Sequence, residues 1–302
     1  MRNKTILIAG GSGLVGSRLQ EIAEKSGYDC YILTRNPKAK NHIQWDIDKK
    51  QIDEQALPEI DYVVNLAGEG IADKKWTVEH KKVLLDSRTE PILLLSNWIS
   101  GLKNPPKAFV SASGVGYYGD GGEKWQKETD KSGTNFLAYT AKIWEEATNS
   151  IKSQGIRTTI LRIGIVLSVK GGALPKITMP FKMGVGSYFG NGKMYMPWIH
   201  IDDLCKMIIF TLENKEVSGV YNAVSPNPAT NYELTKTAGK VIGNPHILVP
   251  APKLAIQLAM GERYQLVFTS NRASSEKIQN TGFKFDYDNL ELALEDVIGK
   301  GK

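Results

Sequence analysis

The chain has 302 residues, with 38 Lys and Arg against 32 Asp and Glu for a formal charge of +6. Its balance of 41% hydrophobic and 23% charged residues, with 29 glycines, is that of a folded globular protein and excludes disorder or a collagen-like repeat. At roughly 150 residues per domain the length fits about two domains, or one large α/β domain with an appendage.

No apolar run approaches the roughly 18 to 20 residues needed to cross a bilayer; the best stretches, 92–95 and 207–212, are short. The Lys and Arg residues are scattered and do not alternate with aromatics along a stripe, so the basic charge points to solubility and not to nucleic acid. Cys30 and Cys205 lie far apart without C-x-x-C spacing and read as buried thiols in a reducing, cytoplasmic compartment. Met1-Arg2-Asn3-Lys4 followed by an apolar stretch superficially resembles a signal peptide, but the stretch stops after 5–9 at a glycine cluster. A first β-strand explains it better.

Residues 5–9 (Thr-Ile-Leu-Ile-Ala) have the texture of a strand buried on both faces of a parallel sheet. Gly10, Gly11, Ser12, Gly13, Leu14, Val15 and Gly16 follow, and 17–25 are helical in character. Strand, glycine turn and helix make the first half of a βαβ unit. The glycines permit a tight turn, let backbone approach a pyrophosphate, and let the helix pack on the strand; the helix N-terminus offers unpaired N–H groups to the phosphates. A dinucleotide site is expected here.

The second strand, 30–33, ends at Thr34-Arg35, where an NAD site usually carries a carboxylate for the ribose 2′-hydroxyl. No Asp or Glu stands there; Arg35 does, with Lys38 and Lys40 behind it. The expected cofactor is NADP(H), with Arg35 on the 2′-phosphate; the bland alternative is a solvated loop arginine.

Strands are expected at 62–66, 108–111 and 158–162, with helical stretches at 77–99 and 136–154, the first broken or kinked at Pro91. The alternation predicts an α/β fold with a doubly wound parallel (Rossmann) sheet. Beyond Arg162 the texture changes to Gly- and Pro-rich loops. An NADP-binding domain over 1–165, with later segments able to return to it, and a smaller substrate-side and C-terminal subdomain over 166–302 are expected.

Several motifs together resemble a known family: Gly10-x-x-Gly13-x-x-Gly16, Asn65-Leu66-Ala67-Gly68-Glu69, Trp76 with Asp86-Ser87-Arg88, Ser111 through Gly119 (SASGVGYYG), Gly171-Gly172-Ala173-Leu174, Trp198 through Asp203, and Gly282-Phe283. The set resembles the extended or atypical short-chain dehydrogenase/reductase superfamily, and within it the YfcH-like epimerase-family proteins with a C-terminal domain of unknown function. The resemblance covers nearly the whole chain. It implies that Thr34, Arg35, Leu66, Ala67, Arg88 and Ile163 contact NADP, joining Gly68 and the glycine turn, and that Ser113 is the active-site Ser/Thr.

That superfamily uses a Tyr as general acid/base, with a Lys four residues later on the same helix face. None of the twelve tyrosines fits in register. Tyr139 has Ile143 at +4, and alignment on Glu145, which resembles the acidic residue four after that Lys, puts Leu137 and Ala141 at the two positions. Tyr232 with Lys236 has the spacing but lies too late in the chain, as a solvated helix face would. Two readings follow. In one, the protein is an NADP-dependent epimerase or oxidoreductase in which Ser113 polarises the substrate and Tyr117 or Tyr118 replaces the missing acid. A phenol ordinarily titrates near pH ~10, so that role calls for a neighbouring cation, which the sequence does not identify. In the other, it binds NADP(H) without turnover and reports cofactor state to a partner.

His200 reads as a structural histidine, Trp198 as either a pocket wall or a packing residue, and one of Asp202 and Asp203 as a helix N-cap. His42, His80 and His246 have no metal-ligand spacing, so no metal is expected. The expected substrate is a small molecule, with a nucleotide-sugar suggested by the epimerase resemblance. It would be met by Lys176, Lys182, Tyr188, Lys193, Tyr195 or Trp198 from the loops at 171–197. Oligomeric state is not legible.

Overall fold

A computed structural model describes residues 2–299. The main sheet contains β1 (Lys4–Ala9), β2 (Tyr28–Thr34), β3 (His42–Asp46), β4 (Gln51–Ile52), β5 (Tyr62–Asn65), β6 (Ala108–Gly114), β7 (Arg157–Ile163) and β8 (Gly219–Ala223). Its eight strands run in the order β8-β7-β6-β5-β1-β2-β3-β4. All pairs are parallel except β3 with β4. The order reverses between β1 and β5, which opens the crevice that doubly wound sheets use for ligands.

Alternation along β1 shows why the strand is apolar throughout. Ile6 and Ile8 join the core on one face, Leu7 and Ala9 the core on the other. Helix α1 (Leu14–Lys25) buries Gly16, Leu19 and Ala23, one stripe at helical spacing. Helix α2 (Val78–Ser100) is capped by the Thr77 side chain and runs through Pro91 without the expected break. Ile92, Leu95 and Ile99 are buried beyond the proline, and their packing against the sheet offsets the missing backbone hydrogen bond. The helical stretch expected over 136–154 divides at Thr148 into α3 (Phe136–Ala147), capped by Asn135, and a single turn at Asn149–Lys152.

In the second half, α4 (Ile201–Glu213) packs beside α1 on the first face of the sheet. Strand β8 then extends the sheet beyond β7. The later elements include α5 (Asn231–Ile242), α6 (Lys253–Met260) and α7 (Leu290–Gly299). Phe181, Trp198, Leu234 and Leu294 form a separate core. Trp198 is fully buried and donates to the Asn227 carbonyl, so it packs the junction. The 171–197 segment is more regular than expected: Val185–Phe189 pairs with Ile247–Ala251, and Tyr195–Met196 with Ala229–Thr230.

The cap of α4 is His200, whose Nδ1 accepts from the Asp202 amide while Nε2 meets Asp296 at 3.1 Å. Neither aspartate is the cap. Asp202 instead forks with Arg18 of α1, and Asp203 accepts the amides of Asp286 and Tyr287. Among the described residues no helix is long and apolar enough to cross a membrane, and no group of three His, Cys, Asp or Glu could hold a metal.

Candidate functional site

The turn after β1 is shaped by contacts that leave no room for side chains. Gly10 has φ of 79°, and a Cβ there would lie 2.7 Å from the Leu66 carbonyl carbon. A Cβ on Gly16 would lie 2.4 Å from the Gly10 carbonyl oxygen and 2.6 Å from Gly11 Cα. Gly13 caps α1 without a side chain, and the first turn contains no acidic residue. The amides of Leu14, Val15 and Gly16 therefore end the helix on a small, positively polarised cradle whose chemistry fits a diphosphate.

Around it lie the other residues singled out in the sequence, at the C-terminal ends of β2, β5, β6 and β7. Thr34 closes β2, and Arg35 follows it exposed, as do Lys38 and Lys40. No carboxylate stands at the end of β2, which fits a phosphorylated ribose. Leu66 donates its amide to the Ala9 carbonyl, and buried Ala67 donates to the Asn65 side chain. Gly68 is exposed and runs against the Arg88 side chain. Arg88 is buried; it donates to the carbonyls of Leu84 and Glu69 and lies over the Trp144 ring. Burial pulls its guanidinium down to about 10, against the opposing pull of Glu69. It thus fixes the 66–69 turn to α2. Ile163 ends β7, half-buried, beside Gly114.

Ser113 sits 4% exposed near the end of β6. Its hydroxyl lies 2.8 Å from Glu145 Oε1 on α3. Glu145 is in turn forked by Arg162, with Nε–Oε1 and Nη2–Oε2 both 2.8 Å. Burial opposes the charge of Arg162, but the hydrogen bonds to Glu145 outweigh it and hold the guanidinium above its ordinary value. The geometry separates the two phenols that the sequence left equivalent. Tyr118 is buried, accepts from Arg162 Nη1 at 3.0 Å and donates to Asn222 Oδ1 at 2.7 Å; burial pushes its phenol up to about 12. Tyr117 is half-buried with its ring centroid 3.4 Å from the Arg162 guanidinium carbon. Arg162 is therefore the cation beside both phenols. Tyr139 points outward, 51% exposed, and takes no part.

A C-terminal segment reaches the loops after β5 and β6. Arg263 donates to the Ala72 carbonyl in the loop after β5, and Glu262 pairs with Lys81 of α2. Further on, Ser270 donates to Asp120 Oδ1 and the Gly122 carbonyl and accepts the Gly121 amide in the loop beyond β6, and Ala273 packs on Tyr118. No side chain of 253–268 is fully buried.

A reversed strand order with a glycine turn at the reversal, and a buried serine two strands away, define a dinucleotide-binding fold of the Rossmann class. The chain belongs to the NAD dependent epimerase/dehydratase family, whose model matches residues 6–224; residues 251–297 match a domain of unknown function, DUF1731. It is 36% identical to the epimerase family protein YfhF of Bacillus subtilis, covering 98% of this chain and 99% of that one. The crystal structure of human epimerase family protein SDR39U1 (isoform 2) with NADPH superposes with a TM-score of 0.88 at 31% identity, covering 98% and 99% of the two chains. A UDP-glucose 4-epimerase from Thermotoga maritima, solved with UDP-glucose, shares the fold at a TM-score of 0.78 and 18% identity.

Proposed function

We propose that this chain binds NADP(H) across the glycine turn and acts as an oxidoreductase or epimerase on a small carbonyl or alcohol compound, with Tyr117 as the proton donor and acceptor. The cradle at Gly10, Gly13, Leu14, Val15 and Gly16 would hold the diphosphate, and Arg35 the 2′-phosphate. Leu66, Ala67, Gly68, Arg88 and Ile163 would line the crevice, with Arg88 holding the 66–69 turn in place. The NADPH bound by the human relative supports this cofactor. Bound there, it supplies or accepts a hydride at the substrate carbon.

The observation that carries the reading is the ion pair of Arg162 and Glu145, which supports Tyr117 on one side and Ser113 on the other. Its guanidinium places a cation on the Tyr117 ring where the usual lysine is missing. As hydride reaches a carbonyl carbon, the oxygen gains charge and takes the phenolic proton; water restores the phenol. Tyr118, committed to Arg162 and Asn222, positions the pair and transfers no proton. A nucleotide-sugar substrate rests on family likeness alone.

The test follows absorbance of the nicotinamide band with a panel of carbonyl compounds. Turnover is expected, and Tyr117→Phe should lower it by about 10²- to 10⁴-fold, the usual worth of a positioned acid. Tight NADPH binding with silence across the panel would favour the second reading, a cofactor sensor. That reading draws on the engaged protons of Ser113 and Tyr118.

A further inference from the structure

We infer that Ser113 serves the reacting centre as a hydrogen-bond acceptor, and that the substrate carries a donor beside the carbonyl it presents to Tyr117, as an α-hydroxycarbonyl does. The assignment rests on the oxidoreductase reading above and narrows its substrate class.

A serine hydroxyl has one proton and two acceptor lone pairs, whereas an ionised carboxylate only accepts. Glu145 faces the two-pronged guanidinium of Arg162, at 2.8 Å through each oxygen, in a pair that is nearly inaccessible to water. Both oxygens of that carboxylate are engaged as acceptors by the fork. The proton in the 2.8 Å contact between Ser113 and Glu145 therefore belongs to Ser113 and points at α3. Turning it toward a substrate carbonyl would exchange a charge-assisted hydrogen bond for a neutral one. The serine is thus set against the carbonyl-polarising role expected from its family position; what it presents to a ligand is oxygen lone pairs.

The phenols complete the division of labour. Tyr118 spends its proton on Asn222 and receives one from Arg162. The Tyr117 hydroxyl makes no hydrogen bond to any described residue, and its ring rests on the same guanidinium that forks Glu145. One buried ion pair therefore carries a donor, Tyr117, on one side and an acceptor, Ser113, on the other. A ligand that satisfies both offers an acceptor oxygen and a donor group. Reduction of an α-hydroxyketone, or oxidation of the vicinal diol it becomes, meets that requirement, while a simple ketone leaves Ser113 without a partner.

The test compares 2-hydroxyacetophenone with propiophenone, in which a methyl replaces the hydroxyl. Binding to the NADP⁺-loaded protein is measured by calorimetry, and NADPH oxidation with each ketone by absorbance. The hydroxyketone is expected to bind about tenfold more tightly. Ser113→Ala, which leaves the ion pair intact, should bring its affinity to that of propiophenone, and Ser113→Thr should restore the difference. Equal binding of the two ketones by the natural protein, binding of neither, or an equal loss for both in Ser113→Ala overturns the inference. Selective binding without NADPH oxidation leaves it standing and overturns the oxidoreductase reading; NADPH oxidation with both ketones and no selectivity in binding does the reverse.

Discussion

Replacing Glu145 with Gln keeps the shape of the side chain and removes the charge opposite Arg162. Arg162 is 2% exposed, so water cannot take over the lost partner. The guanidinium loses one of two charge-assisted hydrogen bonds outright, because an amide has a single acceptor oxygen, and the other weakens. With the amide oxygen at the Oε1 position, Ser113 and Arg162 Nε keep their acceptor, and Nη2 is left facing an amide nitrogen that cannot accept. Charge-assisted hydrogen bonds contribute about 1.5–3 kcal/mol each, and breaking a buried pair from one side costs ~3–5 kcal/mol. Partial retention by the amide sets the expectation at about 3 kcal/mol. Urea unfolding followed by circular dichroism should show an earlier midpoint with an unchanged slope. A double variant, Glu145→Leu with Arg162→Met, removes both charges and should be more stable than Glu145→Gln, since apolar replacement of a whole buried pair is often neutral. A Glu145→Gln protein within about 0.5 kcal/mol of the natural one, well short of the one-sided cost, would refute the reasoning.

The other expectations concern the turn and the buried phenol. Gly16→Ala puts a methyl 2.4 Å from the Gly10 oxygen, against backbone that cannot yield cheaply. It should cost about 1–3 kcal/mol in urea unfolding and abolish measurable NADPH binding by fluorescence titration. Burial holds the Tyr118 phenol near 12, above its ordinary value of 10. The folded chain therefore keeps a proton that the unfolded chain releases. Stability from this group is full below pH ~10 and is lost as pH rises through ~12. Tyr118→Phe should flatten that alkaline decline by about 2–3 kcal/mol, seen as a smaller drop in urea midpoint between pH 9.5 and 12. An identical slope in both proteins would contradict the burial of its hydroxyl.

Much of the frame was legible because the central strands are apolar on both faces, a pattern that needs no partner to be recognised. β3 (His-Ile-Gln-Trp-Asp) and β8 (Gly-Val-Tyr-Asn-Ala) escaped because positions at or next to a sheet edge allow alternation and polar residues. The glycine turn was legible because its constraints are local. Arg162 was not: it ends a strand that reads as apolar, and its partner Glu145 lies 17 residues earlier on a helix. Only the packing of α3 against β6 and β7 brings them together, and no spacing rule encodes that. Glu145 served in the sequence only as a landmark for a missing pair, when it is itself the anion of the site. The N-cap of α4 was misread for a related reason, since Asp is the commoner cap and His200 owes its place to Asp296 and Tyr287 at the far end of the chain.

The most direct test of the account is a side-by-side titration of the protein and its Arg35→Ala variant with NADPH and NADH. The account predicts that the natural protein prefers NADPH, and that the variant loses about ten- to hundredfold in NADPH affinity while its NADH affinity stays the same. Equal affinity of the natural protein for the two cofactors, or an equal loss of both in the variant, would contradict it.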